Sequence, residues 1–402
     1  MRDRYTFIKR VILRINLWAA IAGLALAGCA SSPPAKKINA EIKFHANSGY
    51  IAEQITHASS ISEAWMVGSD QVDVTLMMPS GKDAYPLVIY MPGLGESSGD
   101  GLAWRRTWSE AGYAVLSMQP TAMGDALRSS LRARPDDRRN IAREYYSADS
   151  LATRLTILHG VLDELNRRRD NDSTEVYRHI DLSRIAIAGF DVGALAAMVV
   201  AGERIEGVEP AQFPDAVKCV IALSPYADFS GMGVEQLFRS IRLPVLSVTS
   251  WGDTDQYGLV TSATVRRAPF QYMPPGQKYL LILSAAPHSL IAGNEKPAED
   301  SKANESREAN RVPPDSGSDG RTSGSSGRRG GKKKHGGGKS GDRPSASRGQ
   351  ASSANWMELL IDAQSVTTAY LDATVKNDPM AWKWLSEDAK RWLGESADLL
   401  SK

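Results

Sequence analysis

The chain has 402 residues, a formal net charge of +2, 42% hydrophobic residues and 23% charged residues. This length and balance indicate a globular protein with a sizeable core and exclude a largely disordered one. The positive charge is unevenly placed, because residues 1–28 carry +4, residues 295–352 carry +5 and the remainder carries −7. A mildly acidic body lacks the basic surface that nucleic-acid binding needs, so we expect no nucleic-acid partner.

The first 29 residues are similar to the signal of a bacterial lipoprotein. Five basic residues precede an apolar run at residues 17–27, which is too short to span a bilayer. The run ends in Leu26-Ala27-Gly28-Cys29, which resembles a lipobox. The resemblance implies a signal peptide at residues 1–28, a lipidated Cys29, a polar tether at residues 29–40 and a place on the periplasmic face of the outer membrane. A plain secretory signal with a chance cysteine is the alternative.

Apolar runs and helical spacing then alternate along the chain. Strands are predicted at residues 71–78, 86–91, 113–118, 184–188, 217–223, 244–249 and 278–283, and helices at residues 104–111, 142–168, 355–373 and 378–400. Strands that alternate with helices predict an α/β fold with a mostly parallel sheet and helices on both faces. Only about twenty residues separate the strands expected at 217–223 and 244–249, so no large cap domain is expected between them.

Residues 295–352 differ in composition from the chain on either side. They are rich in Gly, Ser, Lys and Arg, with GRRGGKKKHGGGK at residues 327–339. Such a segment cannot bury enough apolar surface to order itself, so we expect a disordered insertion within one domain formed by residues 41–294 and 353–402. It is either a solvated linker or an electrostatic arm that contacts an anionic polymer of the cell envelope.

The stretch at residues 184–199, RIAIAGFDVGALAAMV, predicts a buried strand, a sharp turn and a helix. Gly189 and Gly193 lie two residues before and after Asp191, which lets the chain fold back tightly and the helix pack closely. This is the shape of the nucleophile elbow of α/β-hydrolases, which usually reads Gly-x-Ser-x-Gly. Asp191 stands where serine is usual.

Further polar or Gly-rich residues follow other predicted strands: Gly93-Leu94-Gly95, Asp253, Asp255 and His288. In open parallel sheets, ligands bind outside the carboxyl ends of the strands. The order of nucleophile position, acid and histidine is that of α/β-hydrolases. The chain therefore resembles the α/β-hydrolase superfamily over residues 61–294 and 364–373. Within it, the chain is most similar to dienelactone-hydrolase and platelet-activating-factor-acetylhydrolase-like bacterial lipoproteins.

Each of these residues has an expected role. His288 would be the general base and acid, since imidazole titrates near neutral pH. Asp253 would orient and charge-stabilise it, with Asp255 as the alternative acid. The backbone N–H groups of Leu94 and Val192 would form the oxyanion hole. We expect a small-molecule substrate and neither a metal nor an organic cofactor.

Asp191 leaves three hypotheses open. The protein is a hydrolase of small ester-like substrates with altered chemistry at the elbow. Alternatively, Asp191 is itself a nucleophile toward saturated carbon, as in haloalkane dehalogenases and epoxide hydrolases, which also carry Gly-x-Asp-x-Gly elbows. The third hypothesis is a catalytically inactive binding protein of the cell envelope, because a fold does not dictate function.

Overall fold

The structure is a computed structural model that describes residues 45–53, 55–81, 83–123, 135–171, 175–210, 212–227, 231–255, 257–294 and 353–402. The predicted signal peptide, Cys29, the tether and the basic segment lie outside the described residues. The chain divides into two units, Met1–Ser48 and Gly49–Lys402. Only residues 45–48 of the first are described, and they are helical.

The described strands of the second unit form one nine-stranded sheet. They are β1 (Ala58–Val67), β2 (Asp70–Pro79), β3 (Tyr85–Met91), β4 (Ala114–Pro120), β5 (Ile180–Phe190), β6 (Val217–Leu223), β7 (Val245–Ser250), β8 (Lys278–Leu283) and β9 (Ala397–Ser401). Their order across the sheet is β1-β2-β4-β3-β5-β6-β7-β8-β9. The six strands from β4 to β8 in this order pair in parallel, whereas β1, β2 and β9 add antiparallel edges. The predicted α/β class with a mostly parallel sheet is confirmed.

The described helices cover both faces of the sheet. They are α1 (Leu102–Glu110), α2 (Pro135–Tyr145), α3 (Ala148–Asn171), α4 (Val192–Ala201), α5 (Val234–Phe238), α6 (Thr264–Tyr272), α7 (His288–Ile291), α8 (Ser353–Val375), α9 (Pro379–Lys383) and α10 (Ala389–Leu393). Alternate residues of β3 enter different cores, with Leu87 and Ile89 packing among residues of α3 and α4 and Val88 packing among residues of α1 and α8. Within the described ranges, no helix combines the length and apolar character needed to cross a membrane.

Two helix predictions need correction. The helix expected at residues 142–168 is two helices, because Ser147 ends one and caps the next. Its carbonyl accepts from the N–H of Leu151 at 3.0 Å, and its hydroxyl from the N–H of Ser150 at 3.3 Å. The helix expected at residues 378–400 gives way to β9, because Gly394 adopts a φ of +56° and stops α10. Ala397 and Leu399 then face the core on alternate positions of the strand.

Candidate active site at the carboxyl ends of the strands

The turn between β5 and α4 has the predicted sharp shape. Asp191 lies at its tip with φ 55° and ψ −114°, a conformation that is strained for any residue other than glycine. A Cβ at Gly193 would overlap the carbonyl oxygen of Met91 at the end of β3, and a Cβ at Gly189 would overlap the backbone of Gly193. Both glycines are therefore required by close backbone contacts. The strain at Asp191, about 1–3 kcal/mol, persists because its surroundings fix it.

His288 and Asp253 are brought together, as the sequence predicts. The Nδ1 atom of His288 lies 2.7 Å from Oδ1 of Asp253, and its Nε2 atom lies 3.9 Å from Oδ1 of Asp191. Asp253 is fully buried, and its other oxygen accepts from the hydroxyls of Ser224 and Thr249, each at 2.8 Å. Burial alone would raise the pKa of Asp253, but the hydrogen bond to His288 and the charge of Arg266 bring it below the usual value.

Asp255, the alternative acid, has a different role in the structure. Its carboxylate accepts hydrogen bonds from the backbone N–H groups of Tyr257, Leu259 and Val260, at 2.8, 3.0 and 2.5 Å. These contacts shape the loop after β7, while the partner of His288 is Asp253. Asp255 still lines the cavity described below.

Arg266 of α6 is a site residue that sequence reasoning missed. Its guanidinium is fully buried and lies between the two carboxylates, with Nη2 3.5 Å from Oδ1 of Asp191 and Nε 3.8 Å from Oδ2 of Asp253. Its Nη1 atom donates to the carbonyl oxygens of Ser224 and Pro225, at 2.6 and 3.3 Å. Burial opposes the charged guanidinium, but the neighbouring carboxylates raise its pKa. One buried cation thus offsets two buried anions.

Two more missed residues flank Asp191 on the side of α2 and α3. Tyr146 lies between these helices and hydrogen-bonds to Asp191, and burial together with the charge of Asp191 raises its pKa well above the usual range. The buried Arg154 of α3 donates to Oε1 of Gln119 at 3.2 Å. Burial lowers the pKa of Arg154 to about 10, although Tyr146 and Asp191 favour its charged form. A lone polar residue in an amphipathic helix gives no sequence signal of such a role.

The two residues predicted to form the oxyanion hole belong to different elements, Leu94 to the loop after β3 and Val192 to the start of α4. Val192 is the first residue of α4, where backbone N–H groups have no acceptor within the helix. Leu94 is buried, packs in one small cluster with Val192 and Tyr257, and accepts from the hydroxyl of Tyr257 at 2.9 Å through its carbonyl. The two residues therefore lie side by side beside the elbow.

Glu96, in the same loop as Leu94, is a fourth missed residue. Its carboxylate accepts from the N–H of Gly93 at 2.8 Å and from the side-chain amide of Asn294 at 2.7 Å. Gln119 also fixes the loop by donating to the carbonyl oxygens of Gly93 and Glu96. Burial raises the pKa of Glu96 to about 7, helped by the charges of Asp100 and Asp191 and opposed by its two hydrogen bonds.

A cavity of about 430 Å³ opens onto these groups. Asp191, His288, Glu96 and Asp255 contribute polar side chains, while Leu94, Phe190 and Tyr257 contribute apolar surface. The Phe190 ring packs on the imidazole of His288 with 4.7 Å between ring centroids. Among the described residues, Oδ1 of Asp191 forms no hydrogen bond, although the side chain is only 2% exposed and Nη2 of Arg266 lies 3.5 Å away. The carboxylate oxygen nearest His288 is therefore buried without a hydrogen bond, on a residue that lines the cavity.

Among the described residues, no group of three or more His, Cys, Asp and Glu side chains is arranged to hold a metal ion. No protein-family model matches the chain, and no curated protein sequence matches it either. Function must therefore be argued from the geometry of the site.

Proposed function

We propose that this protein is a hydrolase of the α/β-hydrolase type that acts on a small ester-like or otherwise electrophilic substrate through Asp191, His288 and Asp253. The observation that carries the proposal is the Oδ1 atom of Asp191, which forms no hydrogen bond among the described residues. It lies on a strained turn beside the His288–Asp253 pair and belongs to a residue that lines the cavity. Strained backbone at the mouth of a cavity is typical of functional sites. The order of elbow, acid and histidine along the chain also supports this family.

The first chemical step would form a covalent bond to Asp191. Its Oδ1 attacks the electrophilic carbon, the bond from that carbon to the leaving group breaks, and the leaving group takes the bonding electrons. Attack on saturated carbon gives an alkyl ester of Asp191, whereas attack on an ester carbonyl gives a mixed anhydride. In the second case the N–H groups of Leu94 and Val192 would stabilise the oxyanion.

The second step would release Asp191 by hydrolysis. The Nε2 atom of His288 takes a proton from water, and the oxygen of that water attacks the side-chain carbonyl carbon, Cγ, of Asp191 in the intermediate. Asp253 stabilises the imidazolium that forms, through the 2.7 Å hydrogen bond to Nδ1. The tetrahedral intermediate then collapses: the bond from Cγ to the substrate oxygen breaks, that oxygen leaves with the proton from Nε2, and the Asp191 carboxylate is restored. One oxygen of Asp191 has then been exchanged with water.

A binding protein without activity is the second candidate. It is favoured by the distances around Oδ1 of Asp191, which lies nearer to Arg266, at 3.5 Å, than to His288, at 3.9 Å. A carboxylate held by a buried guanidinium is a weaker nucleophile than a free one, because the positive charge stabilises the anion before reaction. The two candidates differ in whether Asp191 ever becomes covalently bound.

Isotope exchange tests the covalent step. The protein is incubated in ¹⁸O-labelled water with p-nitrophenyl esters, epoxides and haloalkanes in turn, and its peptides are analysed by mass spectrometry. With a productive substrate class, we expect label in the peptide that carries Asp191 and none in the peptide that carries Asp253. Turnover without label would contradict the covalent mechanism, and neither turnover nor label with any class would favour the binding protein.

Two variants sharpen this result. In His288→Ala the second step should stall, so intact-protein mass spectrometry should detect an adduct on Asp191. Asp191→Asn should lose turnover and adduct, whereas Asp163→Asn makes the same chemical change at an exposed position on α3 and should keep both. Activity that survives in Asp191→Asn would remove this site from the reaction.

We also propose, from the sequence resemblance alone, a lipid anchor at Cys29 and a location on the periplasmic face of the bacterial outer membrane. Incorporation of labelled palmitate that disappears in Cys29→Ser would support the anchor. Residues 295–352 would be a solvated linker or would contact an anionic envelope polymer. Salt-sensitive retention on anionic vesicles that is lost on deletion of residues 321–348 would support the second role.

A further inference from the structure

We propose that the cavity at Asp191 takes a substrate that carries a positive charge, an alkylammonium group, and that Glu96 is its countercharge. The inference rests on the proposed function, since it names the substrate class of the same site. Three features of the cavity carry it: a carboxylate with no cationic partner among the described residues, a second carboxylate with an oxygen that forms no hydrogen bond in that part of the chain, and aromatic walls.

Glu96 is hydrogen-bonded but has no countercharge among the residues that the structure describes. Its two partners, the N–H of Gly93 and the amide of Asn294, are neutral dipoles, and each carboxylate oxygen can accept more than one hydrogen bond. The charged groups that face it, Asp100 and Asp191, are both acidic, and the phenol of Tyr90 is nearby. Burial among like charges explains why the pKa of Glu96 is raised to about 7. A bound cation would remove this penalty.

The guanidinium groups near the site, those of Arg266 and Arg154, do not line the cavity. None of the described side chains that line the cavity belongs to Lys or Arg. Arg266 is engaged by Asp191, Asp253 and backbone carbonyls, and Arg154 by Gln119 and the Sδ atom of Met123. A ligand therefore meets the carboxylates and not the guanidinium groups, so an anionic substrate would be repelled.

Asp191 supplies the second, independent observation. Its side chain is 2% exposed, lines the same cavity, and has an Oδ1 atom without a hydrogen-bond donor among the described residues. Asp255 differs, because three backbone N–H groups already occupy its carboxylate. The cavity thus presents two carboxylates to a ligand. Glu96 would accept hydrogen bonds from the ammonium group, and Asp191 would attack the reacting carbon.

The apolar walls fit the alkyl part of such a ligand. Phe190 and Tyr257 line the cavity with Leu94, and aromatic faces attract organic cations. A countercharge at hydrogen-bond distance attracts the ammonium group further. Charge should therefore change affinity by at least about tenfold.

The test compares n-butylammonium with 1-butanol, which share an alkyl chain and differ in charge. Chemical-shift titrations of the wild-type protein at pH 8 should give a dissociation constant at least about tenfold lower for n-butylammonium. Glu96→Gln should bind the two probes within about twofold. Glu209→Gln, which removes the same charge from an exposed loop beyond the far end of α4, should keep the wild-type preference.

Equal affinity for the two probes in the wild type would overturn the inference without any variant, so a folding defect in Glu96→Gln cannot mask the answer. A preference that survives in Glu96→Gln would overturn the role of that residue. Because the titration needs no turnover, its outcome is separate from that of the isotope exchange. If n-butylammonium binds preferentially but no ¹⁸O enters Asp191, the cavity is a cation site without covalent chemistry at Asp191. If ¹⁸O enters Asp191 but the two probes bind equally, the covalent mechanism stands and the cation site does not.

Discussion

At the residue scale, the proposed chemistry depends on three buried charged groups that lie close together: Asp191, Asp253 and Arg266. Asp191 and Asp253 approach His288 from opposite sides, and the guanidinium of Arg266 lies between the two carboxylates. Burying two carboxylates costs several kcal/mol unless they are paired and hydrogen-bonded. Arg266 therefore explains how the buried turn between β5 and α4 can hold a carboxylate at its tip.

Asp191→Ser tests whether the remaining catalytic machinery is complete. The strained turn, the His288–Asp253 pair and the N–H groups of Leu94 and Val192 are independent of the residue at the tip. A serine hydroxyl there would be within reach of Nε2 of His288 as general base, which is worth about 10²–10⁴-fold in rate. We expect hydrolysis of p-nitrophenyl acetate at least about a hundredfold faster than by Asp191→Ala, measured by nitrophenolate release.

The gain should depend on the histidine. The double variant Asp191→Ser/His288→Ala should fall to the rate of Asp191→Ala, because the hydroxyl then has no base. If Asp191→Ser is no faster than Asp191→Ala while its thermal melt is that of the wild type, the oxyanion donors or the histidine are not placed for acyl transfer.

Arg266→Met tests the buried charge balance. The substitution keeps much of the apolar stem but leaves Asp191 and Asp253 without their shared cation. Removing one partner of a buried ion pair costs about 3–5 kcal/mol, and we expect the free energy of unfolding in urea to fall by that amount. The cost should shrink in an Asp191→Asn background, because one uncompensated charge is gone.

Arg267→Met is the matched control for this prediction. Arg267 follows in the same helix but stacks on the exposed Trp251, with its guanidinium carbon 4.4 Å from the ring centroid. A cation–π contact at an exposed site is worth about 0.5–1 kcal/mol, so the control should lose no more than that. Equal losses in the two variants would mean that the ion pairs of Arg266 do not stabilise the fold.

Only part of this cluster could be predicted from the sequence. Asp191, Asp253 and His288 each follow a predicted strand, and the carboxyl ends of parallel strands meet at one edge of a sheet. Arg266 reaches the same point from α6 and Tyr146 from the turn between α2 and α3, and the local sequence does not predict how these elements pack on the sheet. Glu96 stands in a Gly-rich loop, where its contact with Asn294 joins residues that are 198 positions apart.

At the element scale, the strand–turn–helix unit from β5 to α4 is the feature that sequence specifies best. A continuous apolar run predicts a strand covered on both faces, and paired glycines predict the sharp turn. The helix break at Ser147 was missed because neither glycine nor proline marks it between residues 142 and 150. β9 was missed because Trp392 and Leu393 extend helical spacing up to Gly394.

Gly193→Ala tests the close approach of α4 to β3. Alanine favours a helix over glycine by about 1 kcal/mol, so propensity alone predicts a gain in stability. The added Cβ would overlap the backbone carbonyl of Met91, which cannot rotate away as a side chain could. We expect the cost of this overlap to exceed the gain in helix propensity, so the free energy of unfolding should fall by about 3 kcal/mol or more.

The control for this variant is Gly252→Ala, where an added Cβ has no atom within 4 Å among the described residues and φ is not positive. Its free energy of unfolding in urea should stay within about 0.5 kcal/mol of the wild type. A Gly193→Ala protein as stable as that control would show that the elbow has room to relax.

At the scale of the whole molecule, the last residues of the chain complete the sheet that carries the site. β9 pairs antiparallel with β8, and the backbone of Lys402 exchanges hydrogen bonds with that of Lys278 at 3.0 and 3.1 Å. His288 follows β8 directly, so the strand that positions the histidine is flanked by the C-terminal segment. The unit Gly49–Lys402 is therefore expected to unfold as one cooperative body.

Deleting residues 397–402 should weaken the entire unit. The deletion removes the buried Leu399, worth about 2 kcal/mol, together with the ladder of hydrogen bonds to β8. It also exposes the edge of β8, and an unpaired apolar edge promotes association. We expect a lower urea midpoint by circular dichroism and by fluorescence of Trp251 near the site, and soluble aggregates by light scattering.

Point variants distinguish the effect of losing the packing of Leu399 from the effect of losing the strand that covers β8. Leu399→Ala should cost about 2–3 kcal/mol because the side chain is 8% exposed, whereas Leu400→Ala, at 42% exposure, should cost less than about 1 kcal/mol. Both should remain monodisperse, since β9 still covers β8. If the truncated chain keeps the wild-type midpoint by both probes, β9 is a dispensable edge, and the position of His288 must be fixed by its packing on Phe190 and its hydrogen bond to Asp253 instead.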